Sequence, residues 1–184
     1  MTTAEISATR VATTLRSLYF TRFGFAITWA ILFLVAGTDI GLVGGTLLVL
    51  YPLFDVAAAI FDARSSKTAG PVPALYLNIA LSLLTVAGLV IAATSGRPAV
   101  LRVWGAWAIT AGIVQLIVAI NRRKLGGQWA MILSGSISTL AGTGFIVQAS
   151  SDDPSLSNLA GYATLGGIFF LISALRLRRA ATGD

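Results

Sequence analysis

The sequence predicts an all-α, polytopic integral membrane bundle of six transmembrane helices, arranged as three repeated helical hairpins. Three observations carry that prediction. Six apolar runs each approach the ~20 residues a helix needs to cross ~30 Å of hydrocarbon. Only 11% of the 184 residues are charged and 56% are hydrophobic. Soluble chains carry roughly 25% charged residues, so lipid must replace water over most of this surface. The basic residues also alternate in side. Arg10, Arg16, Arg22, Arg64, Lys67, Arg122, Arg123, Lys124, Arg176, Arg178 and Arg179 fall on the side where the chain begins, and only Arg97 and Arg102 on the other. Positively charged loops stay in the cytoplasm, which places both termini there.

The elements follow in order. Residues 1–17 form a polar cytoplasmic segment. Thr2 and Glu5 have capping-box spacing, and Ile6, Val11, Leu15 and Leu18 make a rough helical stripe with Arg10 and Arg16 off it. The segment reads either as an interfacial amphipathic helix or as a partly ordered tail, and not as a cleaved signal peptide. The membrane domain spans 18–177, followed by a basic cytoplasmic tail, 178–184. Helix one covers about Leu18 to Ala36, with Arg22 near enough to its start to snorkel. Helix two covers about Ile40 to Phe61, helix three Ala74 to Ala93, helix four Ala99 to Ile120, helix five Trp129 to Gln148 and helix six Leu159 to Leu175. Glycine- and proline-bearing turns such as Gly70 to Pro73 and Gly96 to Pro98 separate them. Tyr19, Trp104, Trp129 and Tyr162 fall at or near predicted membrane boundaries, where amphipathic rings collect.

Composition excludes several functions. Cysteine and histidine are absent, which removes thiol nucleophiles, imidazole bases and the usual zinc sites. No cofactor or metal is expected. The serines lack a base, and the Gly126–Gly127 pair lacks the spacing of a phosphate loop. The chain reads as no enzyme. Its net charge of +6 points away from nucleic acid and toward anionic lipid at the cytoplasmic face, because the basic residues lie along one side of a membrane topology.

An internal repeat runs through the even helices. PLFDVAAAIFDAR from Pro52, GIVQLIVAINRRK from Gly112 and GIFFLISALRLRR from Gly167 align, with Asp55, Gln115 and Phe170 at the fourth position and Ala59, Ala119 and Ala174 at the eighth. With GQWAMILSGSISTLAGTGFIV from Gly127 and GYATLGGIFFLISALRLRR from Gly161, the chain resembles the HdeD-like family of short-repeat membrane proteins. The resemblance covers nearly the whole chain. It implies six helices, a bacterial inner-membrane location and a role in acid or envelope stress, and it carries no catalytic residues over.

The stretch most informative about function is Gly41 to Arg64, an apolar span that contains Pro52 and Asp55. A carboxylate in lipid costs about 2.5–3.5 kcal/mol on insertion scales and should face protein or water. Asp55 falls at a similar depth to Asn78 and Gln115, a candidate buried polar layer. Asp55 then either serves an ion, proton or ligand or is structural, paired with Arg22, Arg64 or the two amides. Pro52 removes a backbone donor one turn earlier and can kink the helix. Gly41 and Gly45 on helix two, and Ser134, Ser138 and Gly142 on helix five, have the four-residue spacing of close helix packing, within the bundle or across a homo-oligomer. Asp62 and Arg64 end the span, at the headgroups. Three functions stay open: a non-enzymatic stress protein, a small transporter or channel with Asp55 on its pathway, and a membrane-anchor subunit of a larger complex.

Overall fold

A computed structural model of the chain describes residues 3–65, 73–125 and 128–182, and the side chains of 11–65, 73–124 and 128–177. The Thr2–Glu5 cap, Arg10, Lys67, the Gly126–Gly127 pair and the basic tail of Arg178 and Arg179 therefore lie outside the described residues or side chains. Every regular element described is helical: α1 (Thr3–Ala36), α2 (Leu42–Ser65), α3 (Pro73–Thr94), α4 (Arg97–Asn121), α5 (Trp129–Gln148) and α6 (Asn158–Thr182), with a 3-10 turn at Arg123–Leu125 after α4. Each of the six contains a span long and apolar enough to cross a bilayer, so this is a multi-pass membrane protein.

The first helix is longer than helix one of the sequence reading. It runs unbroken from Thr3 through the polar segment, because Val11, Leu15 and Tyr19 continue its buried stripe and close on Phe170, Ala174 and Leu177 of α6. That contact sets the N-terminal half of α1 beside the C-terminal half of α6. α2 continues through Pro52, which is buried. Proline is tolerated in membrane helices where neighbouring elements satisfy the freed backbone. The α3–α4 turn relies on Gly96, whose φ of 93° is open to glycine and strained for other residues.

Consecutive helices touch around a ring that α1 and α6 close. The most extensive interfaces are α4–α5 and α1–α6, then α2–α3 and α3–α4. Glycine explains the first. A Cβ on Gly105 would stand 2.6 Å from the Gly142 carbonyl oxygen, and one on Gly112 2.7 Å from that of Gly135. Two backbone-to-backbone approaches seven residues apart thus clamp α4 to α5. The close approach expected at Gly41 and Gly45 does not occur within the bundle. A Cβ on either meets nothing within 4 Å, and both border an outward apolar groove shared with Leu89, Val90 and Ala93.

The ring has two unlike halves. Away from the termini, Trp29, Phe33, Leu48, Leu89, Leu101, Trp104 and Leu159 form an apolar core. Trp104 was expected near a lipid boundary. It is instead completely buried, stacked on Trp29 and edge-on to Trp107, because it shares the inward stripe of α4 with Leu101 and Ala108. Tyr19 is likewise buried. Trp129 is exposed, beneath the Arg176 guanidinium. The half near the termini, hereafter the basic end, holds buried polar side chains, Asp55, Asp62, Asn78, Ser82, Gln128 and Ser134 among them.

Candidate functional site

The site begins with one face of α2. Tyr51, Asp55, Ala59 and Asp62 recur at intervals of four, four and three, so they form one helical stripe, and all four line central cavities. Asp55 faces α1, where Arg22 pairs with its Oδ1. Its Oδ2 accepts from Asn78 Nδ2 at 2.6 Å and from Ser82 Oγ at 3.0 Å. Asn78 and Ser82 stand one turn apart on α3, the spacing that lets two side chains reach one carboxylate. Ser82 Oγ in turn accepts from Trp107 Nε1 of α4 at 3.0 Å. The Arg22 guanidinium lies over the Phe170 ring of α6, 4.6 Å from its centroid. A single carboxylate thus organises contacts across α1, α2, α3, α4 and α6. Burying a lone ion costs several kcal/mol, and good geometry with further hydrogen bonds is what offsets it.

Gln115 occupies the same layer and lines the same cavities, but it donates to the Met131 carbonyl of α5 at 3.0 Å. Asp55 and Asn78 are brought into direct contact, and Gln115 borders them without bonding to either. Arg64 is exposed at the end of α2, and Arg22 supplies the charge it was considered for. Ser138 donates to the Ala108 carbonyl at 2.9 Å and shares a 2.8 Å hydrogen bond with Tyr162. Ser134 is buried along the same cavity wall, and Gly142 meets α4.

A second ion pair lies two turns nearer the basic end. Arg122 donates from both terminal nitrogens to the two carboxylate oxygens of Asp62, each at 2.8 Å. Asp62 was expected at the headgroups; it is 5% exposed, because its place in the α2 stripe turns it inward. Burial works against the charge on Arg122, but the hydrogen bonds and charge of Asp62 outweigh it and hold the guanidinium above its ordinary range. The bidentate geometry accounts for this strength. Sequence reasoning missed this pair, together with Ser82 and Trp107. One signal was available for it: in the aligned stretches Asp62 and Arg122 hold the same eleventh position.

Two small cavities flank the Arg22–Asp55 pair. The outer, about 70 Å³, reaches Leu75, Asp62, Arg122 and Gln128 at the basic end. The inner, about 60 Å³, reaches Tyr51, Ser138 and Tyr162 at mid-bundle. Each is roomy enough for a few waters at ~10–15 Å³ apiece. The fourth-position residues of the aligned stretches, Asp55, Gln115 and Phe170, line both. No group of three metal-ligating side chains occurs among the described residues.

Fold and site together define a multi-pass α-helical membrane protein with an ion-paired polar core. No family model, curated protein or solved structure matches the chain.

Proposed function

We propose that the chain is a non-enzymatic protein of the bacterial cytoplasmic membrane, HdeD-like in kind, that supports envelope or acid-stress tolerance through its helical bundle. Its termini lie in the cytoplasm, and Arg64, Arg123, Lys124 and Arg176, exposed at the basic end, meet anionic lipid there. The observation that carries the reading is the Asp55 layer, whose charge is engaged by Arg22, Asn78 and Ser82 in a bond set joining separate helices. Cells with and without the chain are compared after acid and membrane stress. The chain is expected to raise survival, and Asp55→Leu to abolish the gain; equal survival with and without the chain overturns the reading. An outward groove at Gly41 and Gly45 leaves a homo-oligomer as a further arrangement, which cross-linking in native membranes tests.

A second reading is passage of a proton, ion or small solute along the Asp55 face. It is favoured by the two cavities that adjoin the Arg22–Asp55 pair. Liposomes carrying wild-type protein or Asp55→Asn distinguish it. Flux above empty vesicles that changes in the variant supports it, and flux equal to empty vesicles in both removes it.

A further inference from the structure

We propose that the two cavities form a one-sided aqueous vestibule, entered from the basic end and divided by the Arg22–Asp55 pair, that takes water and small neutral hydrogen-bonding solutes. It deepens the second reading above and rests on that reading's site. It does not require that anything cross the membrane.

The reach of the cavities gives the direction. The outer chamber runs to Asp62, Arg122 and Gln128, which stand at the basic ends of α2, α4 and α5. Toward the apolar core the inner chamber stops at Tyr51 and Tyr162, its remaining wall being apolar residues of α5 and α6 such as Ile137, Leu165 and Phe169, and Tyr51 is in ring contact with Trp29 and Trp104 of the core beyond. Polar lining therefore extends about 16 Å along α2, from Asp62 to Tyr51 at 1.5 Å per residue, and then ends.

The need for water comes from Arg22. A guanidinium carries five N–H donors, and among the described contacts Arg22 places its hydrogen bonding on Asp55 alone. Its side chain keeps 18% exposure and lines both chambers. Unmet donors inside a bilayer cost several kcal/mol each, so the chambers supply acceptors, and water is the smallest. The same residues state the ligand class. Two carboxylates face two guanidiniums, so the lining has no net charge to select an ion, while its amides and charged groups offer donors and acceptors together. Drug-sized sites span about 300–1,000 Å³; chambers of 70 and 60 Å³ suit a solute of a few heavy atoms.

Arg22, Asp55, Ala111, Gln115 and Phe170 line both chambers and form the septum between them. Asp55 is also held by α3, and Gln115 by α5. Arg22 is the part that can move, since its departure leaves Asp55 bonded to Asn78 and Ser82.

The absence of cysteine makes the test clean. Single-cysteine variants Ala59→Cys (outer chamber), Ser134→Cys (inner chamber) and Ala160→Cys (apolar core) are placed in sealed vesicles of both orientations. Silver ion is added as an aqueous thiol probe, and free thiol is counted after denaturation. Ala59→Cys is expected to react from the basic face alone, Ser134→Cys at least about tenfold slower, a difference equal to ~1.4 kcal/mol, and Ala160→Cys not at all. Adding Arg22→Ala, with Arg22→Gln as the milder second variant, is expected to bring Ser134→Cys up to the rate of Ala59→Cys. An inert Ala59→Cys overturns the vestibule, as does equal reaction from both faces. Equal rates for Ala59→Cys and Ser134→Cys before any change at Arg22 overturn the septum. Absence of flux in liposomes with a reactive Ala59→Cys ends the passage reading and leaves the vestibule standing.

Discussion

The two ends of this bundle solve helix assembly by opposite means. Away from the termini, indole and phenyl rings stack into a closely packed core. At the basic end, each buried carboxylate of α2 finds an arginine, Asp55 on α1 and Asp62 just past α4. In lipid, apolar contact between helices gains little over contact with acyl chains, so packing and hydrogen bonds must hold helices together. The ring-rich half uses close packing that nearly any well-fitted apolar set could supply. The polar half uses bonds that name their partners, and two small cavities adjoin them. These polar cavities lie in the basic half, and the apolar half carries an outward groove at Gly41 and Gly45.

The sharpest way to break this comparison is to leave one charge without its partner. Asp55→Leu strands Arg22 beside Phe170 and is expected to cost about 3–5 kcal/mol, read as a shift in the unfolding midpoint in mixed micelles. The double variant Arg22→Met/Asp55→Leu is expected to recover most of that loss, since apolar replacements of a whole buried pair are often neutral. If the double variant is as unstable as the single one, the pair holds the bundle by more than charge neutralisation. In the other half, Trp104→Ala is expected to cost about 3–5 kcal/mol through the cavity it leaves. There no second substitution of a contacting charge can rescue it, and rescue by one would erase the distinction between the halves.

Smaller effects sharpen the contrast at the seams. Gly135→Val drives a branched side chain against the Gly112 carbonyl and Leu116 and is expected to cost at least about 1–3 kcal/mol. Gly45→Ala, in open space, is expected to gain roughly 0.5–1 kcal/mol from helix propensity. Comparing the two by thermal unfolding separates glycines that permit contact from glycines that do not. Arg97→Ala breaks the pair with Asp39, whose side chains are 43% and 88% exposed. Its effect is expected to stay within about 1 kcal/mol, against the several expected for Asp55→Leu in the same assay.

Six apolar runs and their helical character were legible because length and hydropathy act locally along one segment. Asp55 stood out for the same reason, as a charge inside a greasy run. Its neighbours were harder to read. Arg22 and Arg64 both sat within reach of Asp55 by depth, and only the rotation of α1 against α2 selects Arg22. Asp62 looked like an end residue by position in the run, yet its angular place on the helix sends it inward to Arg122. Trp104 misled in the same manner, since depth suggested a lipid boundary and rotation put it in the core. The glycine clamp of α4 on α5 was half visible in Gly142. Its counterparts Gly105 and Gly112 carry meaning only once the two helices lie side by side.

What the sequence by itself determined is that this chain lives in a membrane as six helices, because the cost of solvating or desolvating each segment depends on that segment alone. What the tertiary structure decided is which side chains look at one another: Arg22 with Asp55, Arg122 with Asp62, Gly105 with Gly142, and the hollow left between the first two pairs. Those choices depend on how each helix is turned about its axis, a quantity set jointly by all its neighbours and written in no single stretch.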